Sequence, residues 1–192
     1  SPDGDYSWSN ESGICLGCYI PQFIGPVKSG GWAKLMPNSL IVGEFTKETR
    51  PSDADTKFDK RMYASLFFDA ANYGDKVPNE KWYGNNYSMD DLWEGNEGKM
   101  AGGAPSFNVN GTAGKFLIKK NTAYYVDDKA PDNMGNKEGR SSNLRVMRFA
   151  EVLLLYAEAC AKTNDPDGAN YALKQIRQRA GLTEKTFAQA EL

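Results

Sequence analysis

Between Asn72 and Asn110 the chain sets four large rings, Trp82, Tyr83, Tyr87 and Trp93, beside Asn85, Asn86, Asp90 and Asp91. That combination of residue types suits the recognition of a sugar. A pyranose has one apolar C–H face, which a flat ring can support, and a rim of hydroxyls, which amides and carboxylates can hold. If a sugar covers roughly 50 Å² of ring at about 25 cal/mol per Å², one ring contributes on the order of 1 kcal/mol. Millimolar binding needs about 4 kcal/mol. Several rings, or rings with hydrogen bonds, must therefore act together. Trp32, which follows Gly30 and Gly31, is a further candidate ring, although its place beside a short helix also suits core packing. The competing structural role for all of these rings is to pin a long loop to its scaffold.

Other chemistries find less support. A glycosidase needs two carboxylates about 5–10 Å apart. Asp90, Asp91 and Glu94 can be written into those roles, but adjacent acids on a polar loop usually form a solvated surface, and no apolar surroundings raise one of their pKa values. The chain has no histidine, which removes imidazole triads and histidine-bound metals. Neither a nucleophile elbow, a P-loop nor a dinucleotide fingerprint is present. Asp127, Asp128, Asp132 and Asn133 have calcium-type oxygens without the spacing of a calcium loop, so a plain acidic turn is expected. Cys15 and Cys18 form a C-L-G-C with only Cys160 in reserve, too few ligands for structural zinc. They read as two ordinary cysteines, bridged or unbridged. No catalytic residue, metal or cofactor is expected.

The chain has 192 residues, 23 basic and 25 acidic, for a net charge of −2. The interspersed charge gives no electrostatic footprint for nucleic acid or a membrane surface. Aromatics make up 12% of residues, glycine occurs 19 times, and the mean hydropathy is −0.61. These values fit a soluble chain with many irregular, ring-bearing loops. There is no signal peptide and no apolar run of membrane-spanning length. The chain opens on SPDGDYSWSN and ends in TEKTFAQAEL, which reads as the start of another helix.

The elements that must position the rings are clearest at the far end. Asn143 to Lys162 lacks Gly and Pro and is rich in good helix formers. Its polar residues Glu151, Glu158 and Lys162 share one narrow stripe, so the spacing predicts a helix largely buried in a bundle. A second helix follows. Asp165 suits its cap, Pro166 its first position and Gly181 its left-handed stop. Ala169, Ala172, Leu173, Ile176 and Ala180 keep helical spacing, and the pair folds as an antiparallel hairpin. Arg148 to Gly181 spans about one tetratricopeptide period. Upstream, Met36 to Phe45 reads as a short helix with Leu40, Ile41 and Phe45 on one side. Met62 to Phe68 and Lys115 to Lys119 read as strands, with Thr122 to Val126 a partner for the latter. The 72–110 stretch lacks regular patterning, and its many aromatics favour an ordered, functional excursion over disorder.

The string RFAEVLLLYAEA followed by ALKQIRQRAGL resembles the signature hairpin of the SusD/RagB family, glycan-binding lipoproteins on the outer-membrane surface of Bacteroidetes. Two shorter stretches agree with it. Met36 to Phe45 resembles the family's short helix, and Phe58-Asp59-Lys60-Arg61 resembles its "D-P-R" element with Lys60 in place of Pro, leaving Asp59 and Arg61 to anchor an extended segment. The resemblance implies a mainly α fold with extensive irregular loops and a few short strands. Residues 1–142 would form a loop-rich middle region. Residues 143–192 would form a tetratricopeptide-like hairpin plus the start of a further helix.

By the same resemblance the chain is a fragment of a longer, non-catalytic protein that binds oligosaccharide or polysaccharide. The anchored whole would deliver it to a SusC-like, TonB-dependent outer-membrane transporter. It would meet the membrane only through a lipid anchor absent from this stretch. Glu151 and Glu158 would tie helix to helix, with Arg148 placed to pair with Glu151. The alternatives are a glycosidase accessory region and a tetratricopeptide-type protein-interaction module.

Overall fold

The computed structural model describes residues 24–29, 31–77, 80–84, 87–94, 106–109, 111–122 and 146–192. The fold is mainly helical, with a few short strands. Cys15, Cys18, the 123–126 strand partner and the 127–133 acidic turn lie outside the described residues.

Helix α1, Ser39–Thr46, begins where Asn38 caps it, its side chain accepting from the Ile41 amide at 3.0 Å. It buries Val42 and leaves Leu40 and Ile41 exposed, so the expected apolar side is rotated. Helix α2, Lys60–Ser65, replaces the first part of the expected 62–68 strand. The reason is local. Buried Asp59 accepts from the Arg61 amide at 2.8 Å and from its guanidinium at 3.0 Å, which closes the first turn of a helix. The Asp59–Arg61 element thus starts a helix and does not anchor an extended segment. Only Leu66–Phe67 remains extended, as strand β1.

Strands β2, Ser106–Val109, and β3, Thr112–Lys115, form an antiparallel ribbon that turns through Gly111 at φ 86°. Strand β4, Leu117–Ile118, pairs antiparallel with β1, Leu66 opposite Ile118 and Phe67 opposite Leu117. The expected 115–119 strand is therefore split between two partners. One apolar cluster gathers Val42, Phe58, Met62, Leu66, Phe68, Tyr73, Val109 and Phe116. Gly114 is essential to it, because a Cβ there would collide with the Tyr73 phenol. The Tyr73 hydroxyl itself is buried with no hydrogen-bond partner among the described residues.

Helices α4, Phe149–Lys162, and α5, Pro166–Ala180, form the expected hairpin with its expected punctuation. Asp165 accepts from the Gly168 amide at 3.0 Å, Pro166 opens α5, and Gly181 takes a left-handed φ of 73°. Ala157, Cys160, Ala169 and Ala172 pack between the helices, with Leu153 and Leu173 beside them. Two expectations change. Helix α4 starts at Phe149, because residues 146–148 stand outside it and Arg148 is extended at φ −123°, ψ 148°. And α4 is not enclosed: Phe149 is 70% exposed, Leu155 54% and Tyr156 48%. Among the described ion pairs none joins Arg148 to Glu151, because Arg148 lies before the helix; Glu158 pairs instead with Lys162. The last described residues carry one 3-10 turn, Gln189–Glu191.

Candidate functional site

The described part of the ring-bearing stretch is more regular than its sequence suggests. Trp82 and Tyr87 exchange backbone hydrogen bonds at 2.9 and 3.2 Å, closing a tight loop. Tyr83 and Gly84 turn the chain with successive left-handed φ values of 54° and 70°. Immediately after it, Ser88 caps helix α3, Met89–Trp93, in a reciprocal box. The Asp91 amide donates to Ser88 Oγ at 3.2 Å, and the Ser88 amide donates to Asp91 Oδ2 at 2.8 Å. This box satisfies helix-end amides that otherwise lack partners. It also holds the Asp91 carboxyl below its ordinary range, the Ser88 hydroxyl being the largest cause.

The loop and α3 close over the β1–β4 pair. Phe67 and Leu117, brought opposite each other by that pairing, pack with Trp82, Tyr83, Met89, Leu92 and Trp93 in a second apolar cluster. The Phe67 and Trp82 rings meet edge-on with centroids 4.9 Å apart. The indole N–H of Trp82 donates to Glu80 Oε2 at 3.0 Å. Lys119 Nζ donates to the same oxygen at 3.2 Å and stands 5.6 Å from the centre of the Trp82 ring. Burial pushes the Tyr83 phenol up, against hydroxyl contacts from Ser29 and Thr122.

The sequence expectation set Trp82, Tyr83 and Trp93 on a display loop; the structure turns all three inward, at 6%, 0% and 4% exposure. A ring enclosed by core neighbours offers no open face for a sugar to stack on. Tyr87 and Trp32 are half-buried, Asp91 is half-buried and Asp90 is exposed. Asn85 and Asn86 lie outside the described residues. Asp90 accepts from Lys115 Nζ at 2.9 Å, and that ammonium sits 5.7 Å from the centre of the Trp93 ring. At the other end of α3, Lys28 pairs with Glu94 at 2.8 Å, which raises the Lys28 pKa and ties the 27–29 turn to the helix.

The sequence reading missed Lys119, Glu80, Lys28 and Lys115. Only Lys119 carried a signal, as a cation at the end of the apolar run Phe116-Leu117-Ile118. A crevice lined by Tyr63, Phe68, Val77, Glu80 and Trp82 leaves about 10 Å³ for a water centre. That is the room of a single water, so no sugar ring enters it. Among the described residues no three acidic or cysteine side chains cluster as a metal site.

The SusD family model matches residues 1–192. The chain belongs to the SusD family. Its fold is similar to part of a SusD superfamily protein from Bacteroides vulgatus ATCC 8482, with a TM-score of 0.60 and 20% identity. The match covers 88% of this chain and 30% of that one, so the chain spans under a third of that SusD structure's length. No curated protein matches the chain. None of the described SusD-family helices is long and apolar enough to cross a membrane.

Proposed function

We propose that this chain is part of a cell-surface glycan-binding protein of polysaccharide utilisation, and that it binds without catalysing. The observation that carries the reading is the SusD family match along the whole chain. In this reading the anchored full-length protein is an outer-membrane lipoprotein that passes oligosaccharide to a TonB-dependent transporter. The local chemistry supports the division of labour. Trp82, Tyr83 and Trp93 form a rigid base, and the half-buried rings of Tyr87 and Trp32 supply apolar contact at the surface. Asp90, with Asn85 and Asn86, takes sugar hydroxyls. Asp91 remains ionised by its cap, which suits a hydrogen-bond acceptor and not a general acid, whose pKa must be raised.

The test is a screen of α- and β-linked oligosaccharides by calorimetry, on the wild type and on Tyr87→Ala and Trp32→Ala variants. Binding that both ring losses weaken supports the surface assignment. Binding indifferent to both sinks the assignment but leaves the glycan reading standing. No binding to any probe refutes the glycan reading, and any product formed refutes the non-catalytic one.

A further inference from the structure

The hairpin carries its own tail. Asn170 holds the Phe187 backbone through bonds of 2.8 Å in both directions, and Gln189 donates to the Ala161 carbonyl at 2.7 Å. Lys174 and Gln178 hold Glu184 at 3.0 and 2.9 Å. Residues 149–192 therefore fold on themselves. Their apolar cluster, centred on Ala157, Cys160, Ala169 and Ala172, includes no residue of the two aromatic clusters.

Among the described residues, the hydrogen bonds and ion pairs that cross from the hairpin to the body lie at the C-terminal end of α5, where α2 also touches α5 and Ala180 is fully buried. Arg177 grips Glu48 with two bonds, at 3.0 and 2.6 Å, and also donates to the Thr183 carbonyl. Arg50 Nε donates to the Gly181 carbonyl at 2.8 Å, while its Nη1 is held by Asp55 and Thr56. Thus an arginine 131 residues away caps the negative end of the α5 dipole. Gly181 also makes room for it, because a Cβ there would strike the guanidinium. The two arginine side chains are mostly buried, at 9% and 12%, but their carboxylates Asp55 and Glu48 are 64% and 45% exposed. Water and salt therefore reach the acidic half of each pair.

We propose that residues 149–192 form a separately hinged unit, latched to the aromatic body by Arg50 and Arg177. A small interface held mainly by ion pairs and one helix cap, with no apolar cluster shared across it among the described residues, permits relative motion of the parts it joins. Opening the latch leaves both aromatic clusters and the interhelical cluster packed. Residues 146–148, exposed and outside α4 with Arg148 extended, provide the hinge side.

Hydrogen exchange by mass spectrometry on the 192-residue chain tests this. In an Arg50→Met/Arg177→Met double variant, amides of 47–57 and 176–183 should exchange about ten-fold faster, the factor expected when charge-assisted bonds are lost. The amides of Phe67, Leu92 and Phe116, and those of Ala157 and Cys160, should keep their rates. Equal acceleration in those core amides makes the chain one cooperative unit and overturns the proposal. So does an unchanged seam. The wild type provides the second measurement should the variant fail to fold. Raising salt from about 20 to about 500 mM shortens the screening length several-fold, and should speed exchange at the seam alone. A seam indifferent to salt, or core amides that follow it, overturns the latch.

Discussion

Replacing Trp82 by alanine separates a ring that supports the site from one that touches ligand. The side chain is 6% exposed, packs edge-on against Phe67, and donates its indole N–H to Glu80. A tryptophan buries about 150–250 Å², worth about 4–6 kcal/mol at 25 cal/mol per Å² before the alanine's own share is returned. Measured losses for such truncations run about 3–5 kcal/mol. The substitution also removes the ring beside which the Lys119 ammonium stands, a side chain that is 8% exposed. We expect a loss of about 4 kcal/mol, a large part of the roughly 5–15 kcal/mol that holds a domain together. Urea unfolding followed by far-UV circular dichroism measures it without relying on the deleted fluorophore. Tyr87→Ala, at a half-buried ring, should lose only about 1–2 kcal/mol. If Trp82→Ala costs less than about 1 kcal/mol while abolishing glycan binding, the ring is a platform after all and the buried-base reasoning fails.

Four further outcomes follow from named contacts. Tyr73→Phe should be neutral or stabilising by up to about 1 kcal/mol, because it deletes a buried hydroxyl that has no partner among the described residues. Burial, with Asp69 adding to it, pushes that phenol from 10.0 up to about 12. The folded state therefore favours the neutral form, and stability present below pH 10 is lost as pH rises toward 12; the Phe variant should flatten that alkaline limb in a melt series. Gly114→Ala should cost about 2–3 kcal/mol in thermal unfolding, since the methyl must displace the Tyr73 ring. Ser88→Ala should cost about 1 kcal/mol and fray α3, seen as faster exchange at the Asp91 amide. The Asp55 carboxyl is held down to about 2, first by Arg50 and then by Lys60, and Glu48 is lowered by Arg177. Both pairs thus stabilise above the ordinary carboxylate range and weaken as pH falls through it toward 2; carboxylate titration by NMR should place the Asp55 midpoint near that lower value.

How much of this was legible depended on the range of the interactions involved. The α4–α5 hairpin was readable because Asp165, Pro166 and Gly181 act within a few residues of themselves, as caps and stops do. The α2 helix was misread as strand because six residues carry too little periodicity to separate the two, and the deciding contact is the Asp59 cap. The fate of Trp82 and Trp93 was not local at all. It follows from pairing Phe67 with Leu117, which builds the floor they cover from residues that sequence patterning does not join. The exposure of α4 is likewise unreadable from its composition. Phe149, Leu155 and Tyr156 show that it offers an apolar face, and packing alone determines whether that face is covered.

Tyr83 is the position with the least freedom to drift. Its backbone sits at φ 54°, where glycine or asparagine would be at ease, and its ring is wholly enclosed. The left-handed conformation costs roughly 1–2 kcal/mol, whereas emptying the ring's place costs about 3–5. The ring therefore wins, and the strain stays. No natural residue satisfies both demands, so local preference and global packing are in conflict at one site. In a saturation library this position should tolerate almost nothing, with phenylalanine the mildest replacement and glycine, despite its ideal backbone, among the worst.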